Sequence, residues 1–222
     1  LTHAHALPDP HDLDAWRAWS NGQLAPLDLT VDLLYRVVEN SQRKKDAASP
    51  VAPLQTPGQD GWSEAVISFR EQTGWGFDEE DGLSRTWHPS RTFFVVVRPG
   101  SDSTGLFDPS RTPSPKTRIR TVLRDLIDEV PYTAPLFDVT GDGQSTLSSG
   151  ERPQLWLFLF SYRDGLLYAE LSRPAERIED KITRYHQRIP LPPLPYTRTG
   201  TSVIVTPDDD LDTGPDIDVQ PI

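Results

Sequence analysis

Six consecutive apolar residues, Leu155, Trp156, Leu157, Phe158, Leu159 and Phe160, constrain this chain more than any other segment. The run is too short for an independent helix and rich in aromatics, so it predicts a central strand covered on both faces. Shortly after it, Asp164-Gly165 stands where a two-residue primed turn would need positive φ, and residues 166–171 read as the returning strand. Ser172 and Arg173 then lead to Pro174, a residue favoured in a first helical turn. Ile178, Ile182, Tyr185 and Ile189 recur at steps of four, three and four, with Glu176, Glu179, Lys181 and Arg184 off that stripe. The spacing predicts an amphipathic helix over 174–189, ended by Pro190.

The remaining elements follow from similar patterns. A short helix carrying Trp16 and Trp19 is predicted over 12–20, stopped by Asn21-Gly22. Val31, Leu34, Tyr35 and Val38 share a face of a second helix over 30–43, whose exit Arg43-Lys44-Lys45 suits a helix C-terminus. A third is predicted over 62–73, with Trp62, Ala65, Val66 and Phe69 inward and Gly74 at its end. Residues 92–97 form a second apolar strand, and Thr117 caps a helix with Ile119, Val122, Leu123, Leu126, Ile127 and Val130 in its apolar face. Helices, strand, helix, hairpin and helix in that order predict an α+β fold with a small, mostly antiparallel sheet packed by amphipathic helices. A parallel α/β sheet is the competing architecture, disfavoured because strands and crossover helices do not alternate.

Composition bears on what surrounds that core. With 22 prolines and a hydrophobic share of 36% in 222 residues, much of the length reads as loop or extended chain. The expected division is a flexible arm over 1–11, a single α+β domain over 12–190 with loops at 47–60 and 99–116, and a Pro/Asp-rich extended tail over 191–222. No window approaches the roughly 20 apolar residues of a membrane-spanning helix. The N-terminus lacks a charged segment followed by an apolar one, so neither a signal peptide nor a membrane association is expected, and the chain reads as soluble with its compartment open. A net charge of -11 argues against general nucleic-acid binding. The absence of cysteine removes disulfides, thiolate metal sites and cysteine nucleophiles.

Three groups of residues could carry chemistry. Asp138, Thr140, Asp142 and Gln144 alternate along a segment with Gly143 at its sixth place, and Glu151 follows. Alternating oxygen donors around a glycine suit a hard cation, Ca2+ or Mg2+, with no other cofactor indicated. Ser149 stands where a helix–loop–helix calcium site places a bidentate glutamate. The segment resembles the Asp-x-x-Gly-Asp-Gly calcium loops found between strands in some adhesive and propeller proteins, and an ordinary Gly-Asp-Gly surface turn is the competing reading. His3, His5 and His11, with Asp9 and Asp12, would form a flexible transition-metal cluster or simply lie in a polar N-terminus, whereas His88 and His186 read as structural or solvent-facing. Arg111, Lys116, Arg118, Arg120 and Arg124 concentrate positive charge. They would dock an acidic partner or a phosphate ligand, or else pair internally with Asp78-Glu79-Glu80-Asp81 or Asp208-Asp209-Asp210.

Phosphate-loop, dinucleotide, nucleophile-elbow and zincin motifs are all missing, which weighs against an enzyme without excluding one. Glu179-Asp180-Lys181 imitates the carboxylate-x-lysine of one nuclease superfamily, with Asp164 or Glu170 as conceivable partners, but reads as solvent charge. The expectation is therefore a non-catalytic protein-interaction or structural subunit of a homo- or hetero-oligomeric assembly, contacting neighbours through extended arms. Val203, Ile204 and Val205 would be its partner strand. The alternative is a metal-assisted hydrolase or nuclease drawing on Asp138, Asp142, Glu151 and Glu170.

Overall fold

A mixed open sheet of seven strands organises the molecule, in the order β1-β2-β3-β4-β5-β6 with β7 paired to β5. The computed structural model describes residues 8–80, 82–108, 110–117, 121–128 and 153–197. The strands are β1 (Gly76–Glu80), β2 (Leu83–Trp87), β3 (Phe93–Pro99), β4 (Gln154–Arg163), β5 (Leu166–Ile178), β6 (Lys181–Pro190) and β7 (Leu194–Pro195). Helices α1 (Leu13–Leu24), α2 (Val31–Asp46) and α3 (Thr56–Thr73) precede them, and α4 (Thr121–Asp128) falls between β3 and β4. The fold is α+β. Among the described residues, β3 and β4 are the one parallel pair, running from Phe93↔Gln154 to Pro99↔Phe160.

The apolar run does occupy the centre of this sheet, and its alternation explains why no polar residue interrupts it. Trp156 and Phe158 face α2 and α3 together with Phe93, Val95 and Val97 of β3. Leu155, Leu157 and Leu159 point the other way, with Phe94 and Val96, onto Leu123 and Ile127 of α4. Both faces of β3 and β4 are thus withdrawn from water, as expected for a parallel pair. Asp164 and Gly165 take φ of 51° and 75°, the left-handed pair a primed two-residue hairpin requires.

The predicted helix over 174–189 is not a helix. β5 continues through Pro174 to Ile178, turns at Glu179 and Asp180, and returns as β6. Glu179 accepts a φ of 54° at this turn. The spacing of Ile178, Ile182, Tyr185 and Ile189 imitates a helical stripe, yet Ile178 is 64% exposed while Ile182 and Ile189 sit in cores on opposite faces of the sheet. β-branched and aromatic side chains at these positions fit a pleated surface equally well. Pro174, which can donate nothing to a ladder, stands at a register shift between the two strands.

Smaller departures have equally local causes. α1 passes through Asn21-Gly22 to the fully buried Leu24, and the Asn21 side chain instead accepts from the Val31 amide at 2.9 Å. α3 begins at Thr56, with Pro57 in its first turn, so the segment before it is shorter than expected. Gly61 lets α3 approach α2: a β-carbon there would lie 3.2 Å from the Ser41 carbonyl, and the Ser41 hydroxyl donates to the Gly61 carbonyl at 2.7 Å.

Residues 76–87 form an edge hairpin that alternation did not reveal. Three of its carboxylates are paired within the hairpin and by α3: Arg85 contacts Asp78 and Glu80, and Arg70 contacts Glu79 at 2.9 Å. Charges on an outer strand also discourage edge-to-edge pairing. Arg85 donates to both oxygens of Asp78 at 2.7 and 3.0 Å, and the Trp87 indole adds a third bond at 2.8 Å. The Arg85 bonds outweigh partial burial and, with Trp87, hold the Asp78 carboxyl below its ordinary 3.8. A depressed carboxyl stabilises the folded form above that ordinary value and loses the contribution as pH falls through the lowered one. The Trp87 indole N–H NMR signal should therefore titrate below pH 3.8 and cease to do so in Asp78→Asn; a flat wild-type signal would contradict the assignment.

Candidate functional site

Because β3 and β4 are parallel, Pro99 at the end of β3 lies beside Phe160 of β4, and the chain leaves β3 at that point while β4 runs on to Arg163 and its antiparallel return β5. Such an end of an open sheet is where chain diverges and a cleft can form. Here a cleft of about 430 Å3 lies between the ends of β3 and β4, the last turns of α2 and the first turns of α3. Trp62 fixes one wall by donating its indole N–H to the Val97 carbonyl at 3.0 Å, which ties α3 to the end of β3. The Arg98 guanidinium lies over the same indole, 5.5 Å from the ring centroid.

The opposite wall is chain returning from the β3–α4 connection. Gly100 donates to the Phe160 carbonyl at 2.7 Å, and Lys116 donates its backbone N–H to Pro99 O at 2.8 Å. Gly100 cannot be replaced freely here, since a β-carbon would fall 2.1 Å from the Thr104 hydroxyl. These backbone bonds bring Lys116 into the lining that Lys45 of α2 also forms. Among the described residues, Lys45, Arg98 and Lys116 line this cleft with one carboxylate, Asp102. In a chain of net charge -11 this is a local reversal of sign. Lys45 and Lys116 are exposed, and among the described residues neither makes an ion pair. The lining also includes the apolar Phe160 and Leu167, the amides of Gln55 and Gln59, and the hydroxyls of Ser41, Ser161 and Tyr162. An extended acidic segment could place carboxylates on the lysines and its backbone against the amides.

The turn leading into Gln55 adds an apolar tip. Val51 and Leu54, three residues apart on a proline-rich turn, are 91% and 99% exposed. Single exposed aliphatics need no explanation, but Leu54 immediately precedes Gln55, which lines the cleft, so this turn offers an apolar contact next to the lining.

The sequence-derived sites distribute unevenly over this geometry. Of the five basic docking residues, Lys116 lines the cleft. Arg111 pairs with Asp108 at 3.4 Å, Arg124 pairs with Asp180, and Arg118 and Arg120 lie outside the described residues. The five do not form one patch among the described residues. The cation loop Asp138, Thr140, Asp142, Gln144 and Glu151, the strand Val203, Ile204 and Val205, and His3 and His5 also lie outside them. Among the described residues no group of three or more histidines and carboxylates is placed to hold a metal, and no helix is long and apolar enough to cross a membrane.

Glu170, a candidate hydrolase carboxylate, is fully buried and structurally committed. Its Oε2 accepts from the Gly105 amide and Arg188 Nη2, both at 2.8 Å, and its Oε1 from Ser172 at 2.6 Å and Arg188 Nε at 3.2 Å. Gly105 reaches it only as glycine: its φ is +70°, and a β-carbon would lie 3.1 Å from Ala169 backbone atoms. His88 is likewise engaged, with Asp28 at 3.0 Å, Ser90 at 2.7 Å and the Phe93 ring stacked beneath it. Burial, reinforced by Arg173, lowers the proton affinity of His186.

Lys45, Arg98 and Trp62 are the cleft residues that sequence reasoning missed as a site. They are far apart in the chain and carry no motif; the one signal was the Pro-Gly break after β3, which marks where the strand releases its backbone. Compared with known proteins, the chain matches no family model, no curated protein and no solved structure.

Proposed function

We propose that this chain is a non-catalytic interaction subunit of a protein assembly, and that its cleft receives an extended acidic segment of a partner chain. The supporting observation is the charge reversal at the carboxyl ends of β3 and β4, where the exposed Lys45 and Lys116 line a cleft that has one carboxylate among the described residues, with the exposed Leu54 next in the chain to the lining residue Gln55. Amides and aromatic walls suit a peptide backbone with alternating carboxylate and aliphatic side chains. Exposed ion pairs contribute only about 0.2–1 kcal/mol each, so several must act together and the binding should weaken with salt.

Charge reversal separates a local site from the chain's overall charge. Lys45→Glu and Lys181→Glu change the net charge equally, but Lys45 lines the cleft while Lys181 lies at the β5–β6 turn. A synthetic peptide of three successive aspartates flanked by leucines should bind Lys45→Glu roughly five- to thirtyfold more weakly than wild type, since one attraction becomes a repulsion worth about 1–2 kcal/mol in sum. Lys181→Glu should bind it as wild type does. Equal losses in the two variants would sink the assignment of this cleft.

A further inference from the structure

We propose that the cleft's occupant in the isolated subunit is the chain's own acidic C-terminal segment, residues 206–219, held in cis and displaced when a partner's acidic segment arrives. This rests on the docking function proposed for the cleft. Its first support is where the described chain ends. Leu191 is fully buried and donates to Ala169 O at 2.9 Å, Tyr35 donates to Pro192 O, and β7 pairs with β5, so the path to Thr197 is fixed. Tyr196 then sits at the rim. Its N–H reaches Gly165 O at 2.9 Å, its hydroxyl reaches Asp46 Oδ2 at 3.1 Å, and its ring meets Tyr162 edge-on at 5.7 Å. Tyr162 lines the cleft, and Asp46 follows Lys45 directly.

Composition supplies the second support. Residues 198–222 hold six aspartates and one basic residue, Arg198, with Leu211, Ile217 and Val219 interspersed among the acids. That is the alternation of carboxylate and aliphatic side chains the cleft and its apolar tip would recognise. Asp208 lies eleven residues beyond Thr197. Fully extended, that length spans at most about 36–40 Å, so a site at the exit point is within reach. A tether this short presents the segment at an effective concentration on the order of 1 mM, enough to fill a site of about 100 μM affinity in cis.

The test uses the full chain and a fluorescein-labelled synthetic peptide of residues 206–219 as probe. Wild type is compared with a variant combining Asp208→Asn, Asp209→Asn, Asp210→Asn and Asp212→Asn. A control carries the same charge change at exposed positions elsewhere: Asp14→Asn, Glu71→Gln, Asp125→Asn and Glu179→Gln. The tail variant should bind the peptide about tenfold more tightly than wild type, the ratio of tether concentration to affinity, and the control should resemble wild type. Equal, measurable affinity in all three would overturn occupation in cis while leaving the docking function standing. No binding by any of them would remove the docking function as well. A wild-type mass that doubles with concentration while the tail variant remains single would assign the segment to a second copy and overturn this proposal.

Discussion

Replacing Glu170 with alanine is expected to cost about 3–5 kcal/mol of stability, because it leaves the Arg188 guanidinium without its partner in a water-poor site. The Glu170 side chain is fully buried and Arg188 is 22% exposed, so little solvent is at hand to compensate. The damage should extend beyond the pair. Arg188 also donates to the carbonyls of Leu106 and Arg111, at 3.0 and 3.3 Å, and Glu170 accepts from Gly105; together they fasten the connection after β3 to the sheet. A chain of this size should lose on the order of 10 °C in melting temperature. Glu170→Gln keeps the shape and one acceptor oxygen and should lose less. Glu170→Leu combined with Arg188→Met should be milder than Glu170→Ala alone, since it removes both charges together. Denaturant unfolding of the four chains checks this order, and a loss below about 1 kcal/mol in Glu170→Ala would show that the network is not an anchor.

Phe158→Ala should be comparably severe, at about 3–5 kcal/mol, for a different reason. Phe158 is fully buried on the helical face of the central strand, with the Phe69 ring 5.9 Å away and Phe160 at 6.4 Å. Neighbours on β3 and β5 are held by their own ladders and cannot collapse into the space, so lost transfer energy is compounded by a cavity. Leu157→Ala tests the opposite face, where α4 packs, and should cost about 2–5 kcal/mol. Leu54→Ala is the contrast: with that side chain 99% exposed, stability should change by less than about 0.5 kcal/mol, whatever happens to binding. Urea midpoints for the three variants give the comparison directly.

How much of this was legible depended on whether the signal was local. β4, its Asp164-Gly165 turn and the start of β5 were readable because a continuous apolar run and a positive-φ turn each have few alternatives. The apolar faces of α2 and α3 were readable for the same reason. Residues 174–189 were not, since Ile178, Ile182, Tyr185 and Ile189, at steps of four, three and four, satisfy a helix by spacing alone. What decides for strands is non-local: β5 needs an outer neighbour, and only the antiparallel return brings Arg188 opposite Ser172 and onto Glu170. The β1–β2 hairpin was hidden because its strands are half charged and held by arginine pairs. The cleft was hidden because its lining comes from separate stretches of chain, Lys45 from α2, Arg98 from β3 and Lys116 from the segment bonded back to Pro99, which only the tertiary fold brings together. A basic cluster read along the chain dispersed for the converse reason, since Arg111 and Arg124 turn to Asp108 and Asp180.

The chain's lysines allow a direct test of the claim that acidic segments dock at this cleft. There are four of them: Lys44, Lys45, Lys116 and Lys181. Two line the cleft, one is their neighbour on α2, and Lys181 stands at the β5–β6 turn. Zero-length carbodiimide coupling joins a lysine amine to a carboxylate only when the two are in contact. Applied to the full chain with the acidic peptide present, and read by mass spectrometry, it should give links from aspartates of the tail or the peptide to Lys45 and Lys116. Links at Lys181 in equal yield, or none at Lys45 and Lys116, would contradict the account.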